Sequence, residues 1–187
     1  MKHTLGFAVV AACAMLGSGC AMTQVSPVGF GTLPEGYTCC NLHHADDWIS
    51  DANWGAFPLI PAGAQIKVVG YGSNRAYVEI EGKAFRIGHD YGRAHEPLDQ
   101  YVAKLVVKED PRAKVATYPD WIREAIRVGR LTQGMTREQA IIAAGYPATH
   151  RTPILEAPVW TYWNDRQTRY QVSWDAEGRI REIALGP

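Results

Sequence analysis

The sequence predicts an α+β fold in which a small all-β unit is followed by two helices and a three-stranded meander. Three observations carry this. Short strand-like runs parted by Gly- and Pro-containing turns fill residues 57–112, a capping box and a Gly-Tyr-Pro stop bracket a helix near residue 140, and aromatic-rich runs follow at 159–163 and 169–174. With 47% hydrophobic and 20% charged residues, the 187-residue chain has ordinary globular composition for one or two small domains. Nineteen Lys plus Arg balance nineteen Asp plus Glu, so there is no electrostatic case for a nucleic-acid partner.

Residues 1–19 read as a targeting segment. Lys2 and His3 form a polar start, Leu5 to Leu16 is an apolar run too short to span a bilayer, and Gly17-Ser18-Gly19 supplies small residues before Cys20. This resembles a bacterial lipoprotein signal, in which cleavage falls before a Cys that is then lipidated; Leu16 stands four rather than three residues before Cys20. An ordinary secretory signal is the alternative. Each buried acyl methylene contributes about 0.8 kcal/mol, and two or three chains exceed what stable anchoring needs. Ala21, rather than Asp, follows the Cys, which by analogy with Gram-negative sorting implies the outer membrane, facing the periplasm. The expected prosthetic group is a covalent lipid on Cys20 and no other cofactor.

Residues 20–56 are expected to hold the lipidated Cys20 and a flexible tether, because Pro27, Gly29, Gly31, Pro34 and Gly36 interrupt any period. Within them, Cys39, Cys40, His43 and His44 are competent ligands for zinc or copper. Adjacent cysteines do not readily turn to one ion, and the spacing fits no zinc motif. Cys39 and Cys40 are equally candidates for a vicinal disulfide in an oxidising compartment, or for a structural, inert pair.

Residues 57–112 are expected to form a small β-barrel. Gln65 to Tyr71, Ala76 to Ile80 and Ala84 to Gly88 suit strands, with Glu81-Gly82-Lys83 as a hairpin turn, and Tyr101 to Lys108 is expected to add one more. Pro61-Ala62-Gly63-Ala64-Gln65-Ile66-Lys67-Val68-Val69-Gly70-Tyr71-Gly72 and Arg75-Ala76-Tyr77-Val78-Glu79-Ile80-Glu81-Gly82-Lys83 are similar to bacterial SH3-like domains. His89, Asp90, His95 and Glu96 share a loop, either as a solvated turn or as an acid–base set. Glu109-Asp110-Pro111-Arg112 reads as a linker.

Residues 113–187 make the last unit. Pro119 suits a first helical turn, with Trp121, Ile122, Ala125 and Ile126 as an apolar stripe ending at Gly129. The next helix opens at Gly134-Met135-Thr136, where Thr136 and Gln139 form the capping box, and closes at Gly145-Tyr146-Pro147. Val159 to Trp163 and Arg169 to Trp174 are strands; Tyr170, Val172 and Trp174 share one face. A third, Arg179 to Leu185, carries Ile180 and Ile183 at opposite parity, which calls for a bulge or twist. Trp160, Tyr162, Trp163, Tyr170 and Trp174 divide between core packing and a candidate binding face.

The ordered set Gly134-Met135-Thr136, Gly145-Tyr146-Pro147, Trp160-Thr161-Tyr162 and Val172-Ser173-Trp174-Asp175-Ala176-Glu177-Gly178-Arg179-Ile180 resembles the SmpA/OmlA (BamE-like) family of outer-membrane lipoproteins. Trp174 and Ile180 replace a Phe and a Val of the family pattern and keep apolar strand positions. The resemblance implies two helices packed on a three-stranded antiparallel sheet, a fold shared with β-lactamase inhibitor proteins. It also implies a non-enzymatic scaffold in barrel assembly or envelope integrity, with the β-barrel assembly machine as candidate partner. Two alternatives stay open: an SH3-like unit binding peptidoglycan or a peptide, and a metal- or redox-binding lipoprotein using Cys39, Cys40, His43 and His44. No Gly-x-Ser-x-Gly or His-Glu-x-x-His occurs.

Overall fold

In the computed structural model, which describes residues 32–186, a six-stranded sheet, a three-stranded sheet, a two-stranded pair and four α-helices share one continuous body. Strand β1 (Glu35–Thr38) leads into β2 (Leu42–His43) and β3 (Trp48–Ser50); β4 (Leu59–Ile60), β5 (Gln65–Tyr71), β6 (Ala76–Ile80) and β7 (Lys83–Gly88) follow. Helix α1 (Leu98–Leu105) and β8 (Val106–Val107) come next, then α2 (Pro111–Val115), α3 (Asp120–Arg127), α4 (Arg137–Ala144), β9 (Val159–Trp163), β10 (Arg169–Trp174) and β11 (Ile180–Leu185).

The expected small all-β barrel followed by a separate two-helix, three-strand domain is not what forms. Six strands in the order β3-β7-β6-β5-β1-β8 make a curled half-barrel whose end strands do not pair with each other. Two of them come from outside the expected barrel strands. β1 and β3 lie in the stretch assigned to the tether, and β3 runs parallel to β7, where Asp47 holds Arg86 through a carboxylate–guanidinium pair. The chain is therefore folded from Glu35 onward, against the flexible tether expected to residue 56.

Alternation builds the middle of this sheet as expected of half-buried strands. Ile66, Val68, Ala76, Val78, Ile80, Phe85 and Ile87 point inward, while Lys67, Val69, Tyr77 and Glu79 point out. The β6–β7 turn places Glu81 at φ 48° and Gly82 at φ 74°, the left-handed pair that a two-residue hairpin requires. The strand expected over Tyr101 to Lys108 is mostly helix. Tyr101, Val102 and Leu105, with Leu98, stand at i, i+3, i+4 and i+7 and bury one stripe of α1, whereas Val102 and Leu105 lack common strand parity.

Helix α3 buries Ile122, Ala125 and Ile126, but Trp121 lies off that stripe, 48% exposed. Helix α4 forms its capping box through Thr136 Oγ1 and Gln139 in both directions. The second sheet runs β11-β10-β9, all antiparallel. Opposite Ser173 and Trp174 stand Glu182 and Ile180, which leaves Arg181 as the extra residue and reconciles the parities of Ile180 and Ile183.

What joins the halves is a buried amide network. Asn41 Nδ2 donates to the Ile126 carbonyl (2.6 Å) at the end of α3 and the Ala143 carbonyl (2.9 Å) near the end of α4, while its Oδ1 accepts from the Ala62 N–H (2.9 Å). Asn53 Nδ2 donates to the Asn41 and Ala144 carbonyls, and its Oδ1 accepts from the His43 N–H. Two asparagines from the first half thus satisfy the orphan carbonyls at both helix ends. The core is continuous too: Ala62 packs with the C-terminal cluster, and Ile141 and Tyr146 pack with the N-terminal one.

Candidate binding surface

The edge strand β11 is set by what pins its start. The Gly134 N–H donates to the Ile180 carbonyl (2.9 Å), the Ile180 N–H to the Met135 carbonyl (2.8 Å), and Gln133 Nε2 to the Arg181 carbonyl (2.9 Å). Asp175 closes the preceding turn by accepting the Arg179 N–H at 2.7 Å. Beyond Arg181, no strand pairs with the outer side of β11 among the described residues. The Gly186 N–H bonds to the Arg169 carbonyl, so in the alternating antiparallel ladder Glu182, Ala184 and Gly186 turn their amides to β10, and Ile183 and Leu185 turn theirs outward.

Side chains follow the same logic. Ile183 pairs with the buried Val172 and Leu185 with Tyr170, so both lie on the helix-facing side, yet Ile183 is 37% and Leu185 84% exposed because α3 ends before covering them. The result is a groove of about 600 Å3 between Val128, Gly129, Arg130 and Leu131 on one wall and Tyr170, Ile183 and Leu185 on the other. Burial pushes the Tyr170 phenol up to about 12, so it stays a protonated hydroxyl. Arg130 is the one charged residue in the lining. The opposite edge, on β9, is covered: the Gly55 and Ala56 N–H groups bond to the Trp163 and Asn164 carbonyls.

Of the aromatic residues expected as a candidate binding face, Trp160, Tyr162, Trp163 and Trp174 are buried core, and half-buried Tyr170 lines the groove. Trp160 is wholly buried and meets Trp174 edge-on at 4.6 Å, Tyr162 is buried with its hydroxyl donating to the Gly145 carbonyl, and Tyr170 stacks on Tyr162. Trp163 faces the other side, packed with Trp54 and stacked on Tyr91 at 5.6 Å. Helices cover one face of β9 and residues 52–57 the other, so of these five residues only Tyr170 reaches the groove.

The four residues considered for a metal are not gathered around one point. The sulfurs of Cys39 and Cys40 are paired in a vicinal disulfide within the core. Buried His43, the last residue of β2, bonds through Nδ1 to the Phe57 carbonyl, whereas His44 just after the strand meets the Phe85 ring edge-on. Among the described residues no group of three metal-capable side chains forms. Cys20 lies outside the described residues.

The acid–base set dissolves similarly. His89 Nδ1 lies 3.1 Å from the buried Asp51 carboxylate, Asp90 accepts from Trp48 Nε1, and Glu96 pairs with Lys104, so these groups serve three separate contacts. Asp51, which sequence reasoning missed, also accepts the Asp90 (2.8 Å) and Gly92 (2.6 Å) N–H groups and clamps that loop. Burial alone would raise its carboxyl; the donors from His89, Asp90 and Gly92 outweigh it and hold the carboxyl below its usual range. Ile183, Leu185, Val128 and Arg130 were also missed. The shared parity of Val172-facing Ile183 and Leu185, with nothing after Gly129 long enough to cover them, was the available signal.

A 58-residue stretch is 36% identical to mannose-6-phosphate isomerase of Rhizobium meliloti (strain 1021), covering 31% of this chain and 15% of that protein. The chain thus matches a small part of that relative's length, and a partial likeness to an enzyme gives no support to a non-enzymatic expectation. No protein-family model and no solved structure matches the chain. No helix among the described residues is long and apolar enough to cross a membrane.

Proposed function

We propose that this protein is an envelope lipoprotein, anchored through Cys20 in the outer membrane and facing the periplasm, that acts as a non-enzymatic binding or scaffold subunit in outer-membrane protein assembly or envelope integrity. The observation that carries the binding role is the exposed apolar edge of β11 beside its groove, since Ile183, Leu185 and Val128 form a contiguous apolar surface. The residues behind the SmpA/OmlA resemblance support it, because Gly134 and Met135 are those that pin the start of β11. The anchor rests on the sequence alone.

Affinity purification of the lipidated protein from crosslinked cells tests this. Wild-type protein is expected to recover a defined envelope partner that Ile183→Glu loses while still folding and fractionating with the outer membrane. Equal recovery by the variant would move the binding surface elsewhere, and a Cys20→Ser protein that remains in the membrane fraction would overturn the anchor.

A further inference from the structure

We infer that β11 takes its partner as a fourth strand, accepting an extended peptide with alternating apolar residues and a carboxylate that meets Arg130; this rests on the binding role proposed above. Two residues two apart, Ile183 and Leu185, direct N–H and C=O groups away from β10, which is the hydrogen-bonding row that a strand needs. Side chains at alternate positions of an added strand would fall over the groove walled by Val128, Leu131 and Tyr170. Only the stretch from Ile183 to Leu185 is open, because Gly134, Met135 and Gln133 occupy the edge up to Arg181.

Charge selects the occupant. Arg130 lines the groove and forms no ion pair within 4 Å among the described residues; Glu124, whose carboxylate feels the Arg130 charge, is held by Arg127 through two bonds of 2.7 Å. A second copy of this chain would present Ile183 and Leu185 on the groove side of its own β11 and bring no acid to Arg130. A foreign strand bearing Asp or Glu satisfies both the apolar walls and the cation.

The test is selection from a randomised heptapeptide library on the full-length protein, with Leu185→Pro and Arg130→Gln proteins in parallel. Proline at 185 removes one outward N–H and leaves the ladder to β10 intact, as edge strands tolerate; Leu185→Ala removes the side chain but keeps the N–H. Enriched peptides are expected to alternate apolar residues and carry an acid, to bind Leu185→Pro about tenfold more weakly than Leu185→Ala, and to protect the Ile183 and Leu185 amides from exchange. Arg130→Gln is expected to erase the acidic preference alone. Enrichment without alternation, equal binding to Leu185→Pro, no enrichment, or self-association abolished by Leu185→Pro would each overturn the inference. Should Ile183→Glu lose the cellular partner while Leu185→Pro keeps it, the binding role stands and strand addition fails.

Discussion

Replacing Asn41 with Ala is expected to destabilise the whole described body rather than one half of it. The substitution deletes three buried hydrogen bonds, of 2.6, 2.9 and 2.9 Å, to Ile126, Ala143 and Ala62. Each buried partner left unsatisfied costs about 1–3 kcal/mol. The Ile126 carbonyl keeps the Gly129 N–H at 3.0 Å, which puts its share at the low end. A total of about 3 kcal/mol follows, a large part of the ~5–15 kcal/mol that stabilises a domain, and about 6–12 °C in Tm for a chain of this size. Urea unfolding read by tryptophan fluorescence and far-UV circular dichroism would show it. Trp48 and Trp54 report on the first half and Trp160 and Trp174 on the second, and all are expected to lose signal in one coincident transition. A shift under about 0.5 kcal/mol, or two separated transitions, would refute the shared body.

Further outcomes follow from single residues. Asp51→Ala strips the carboxylate from the His89, Asp90 and Gly92 donors and is expected to cost about 3 kcal/mol, read as a lowered urea midpoint, with Asp51→Asn milder. Burial chiefly, then the neighbouring charge of His44, lowers the His43 pKa below 6.5. The unfolded state then binds the proton more readily, so this stability is full above pH 6.5 and is lost as pH falls below it; His43→Gln is expected to flatten that slope in denaturation curves from pH 7 to 5. Trp160→Ala empties a fully buried site and is expected to cost about 3–5 kcal/mol, enough to show as loss of the cooperative melt. Alkylation of the denatured, unreduced protein is expected to spare Cys39 and Cys40, and mass spectrometry would count both adducts only after reduction.

Legibility in the sequence tracked how local each cause is. The capping box at Thr136 and Gln139, the hairpin at Glu81-Gly82 and the alternation of β5, β6 and β10 are set by neighbours within a few residues, and each forms. The helix at Leu98–Leu105 was within reach of the same reasoning, since its four apolar positions keep helical rather than strand spacing. β1 and β3 were not, because their pairing with β5 and β7 is long-range and their Pro- and Gly-rich surroundings resemble a tether. The same holds for Asn41 and Asn53, polar residues that become structural only when two helix ends arrive beside them. The aromatic residues of β9 and β10 could be assigned to a core by composition, but only the cover that residues 52–57 and Tyr91 give Trp163 excludes that residue as a surface. The edge at β11 is the reverse case, visible only as the place where cover is missing.

The most direct test of the binding role is a photo-crosslinking residue at position 185, with a second at the exposed Tyr77 on the outer face of the six-stranded sheet as reference. In living cells, position 185 is expected to trap one partner specifically while position 77 traps none. A partner trapped at Tyr77 and not at 185 would contradict the assignment of the binding surface to the β11 edge.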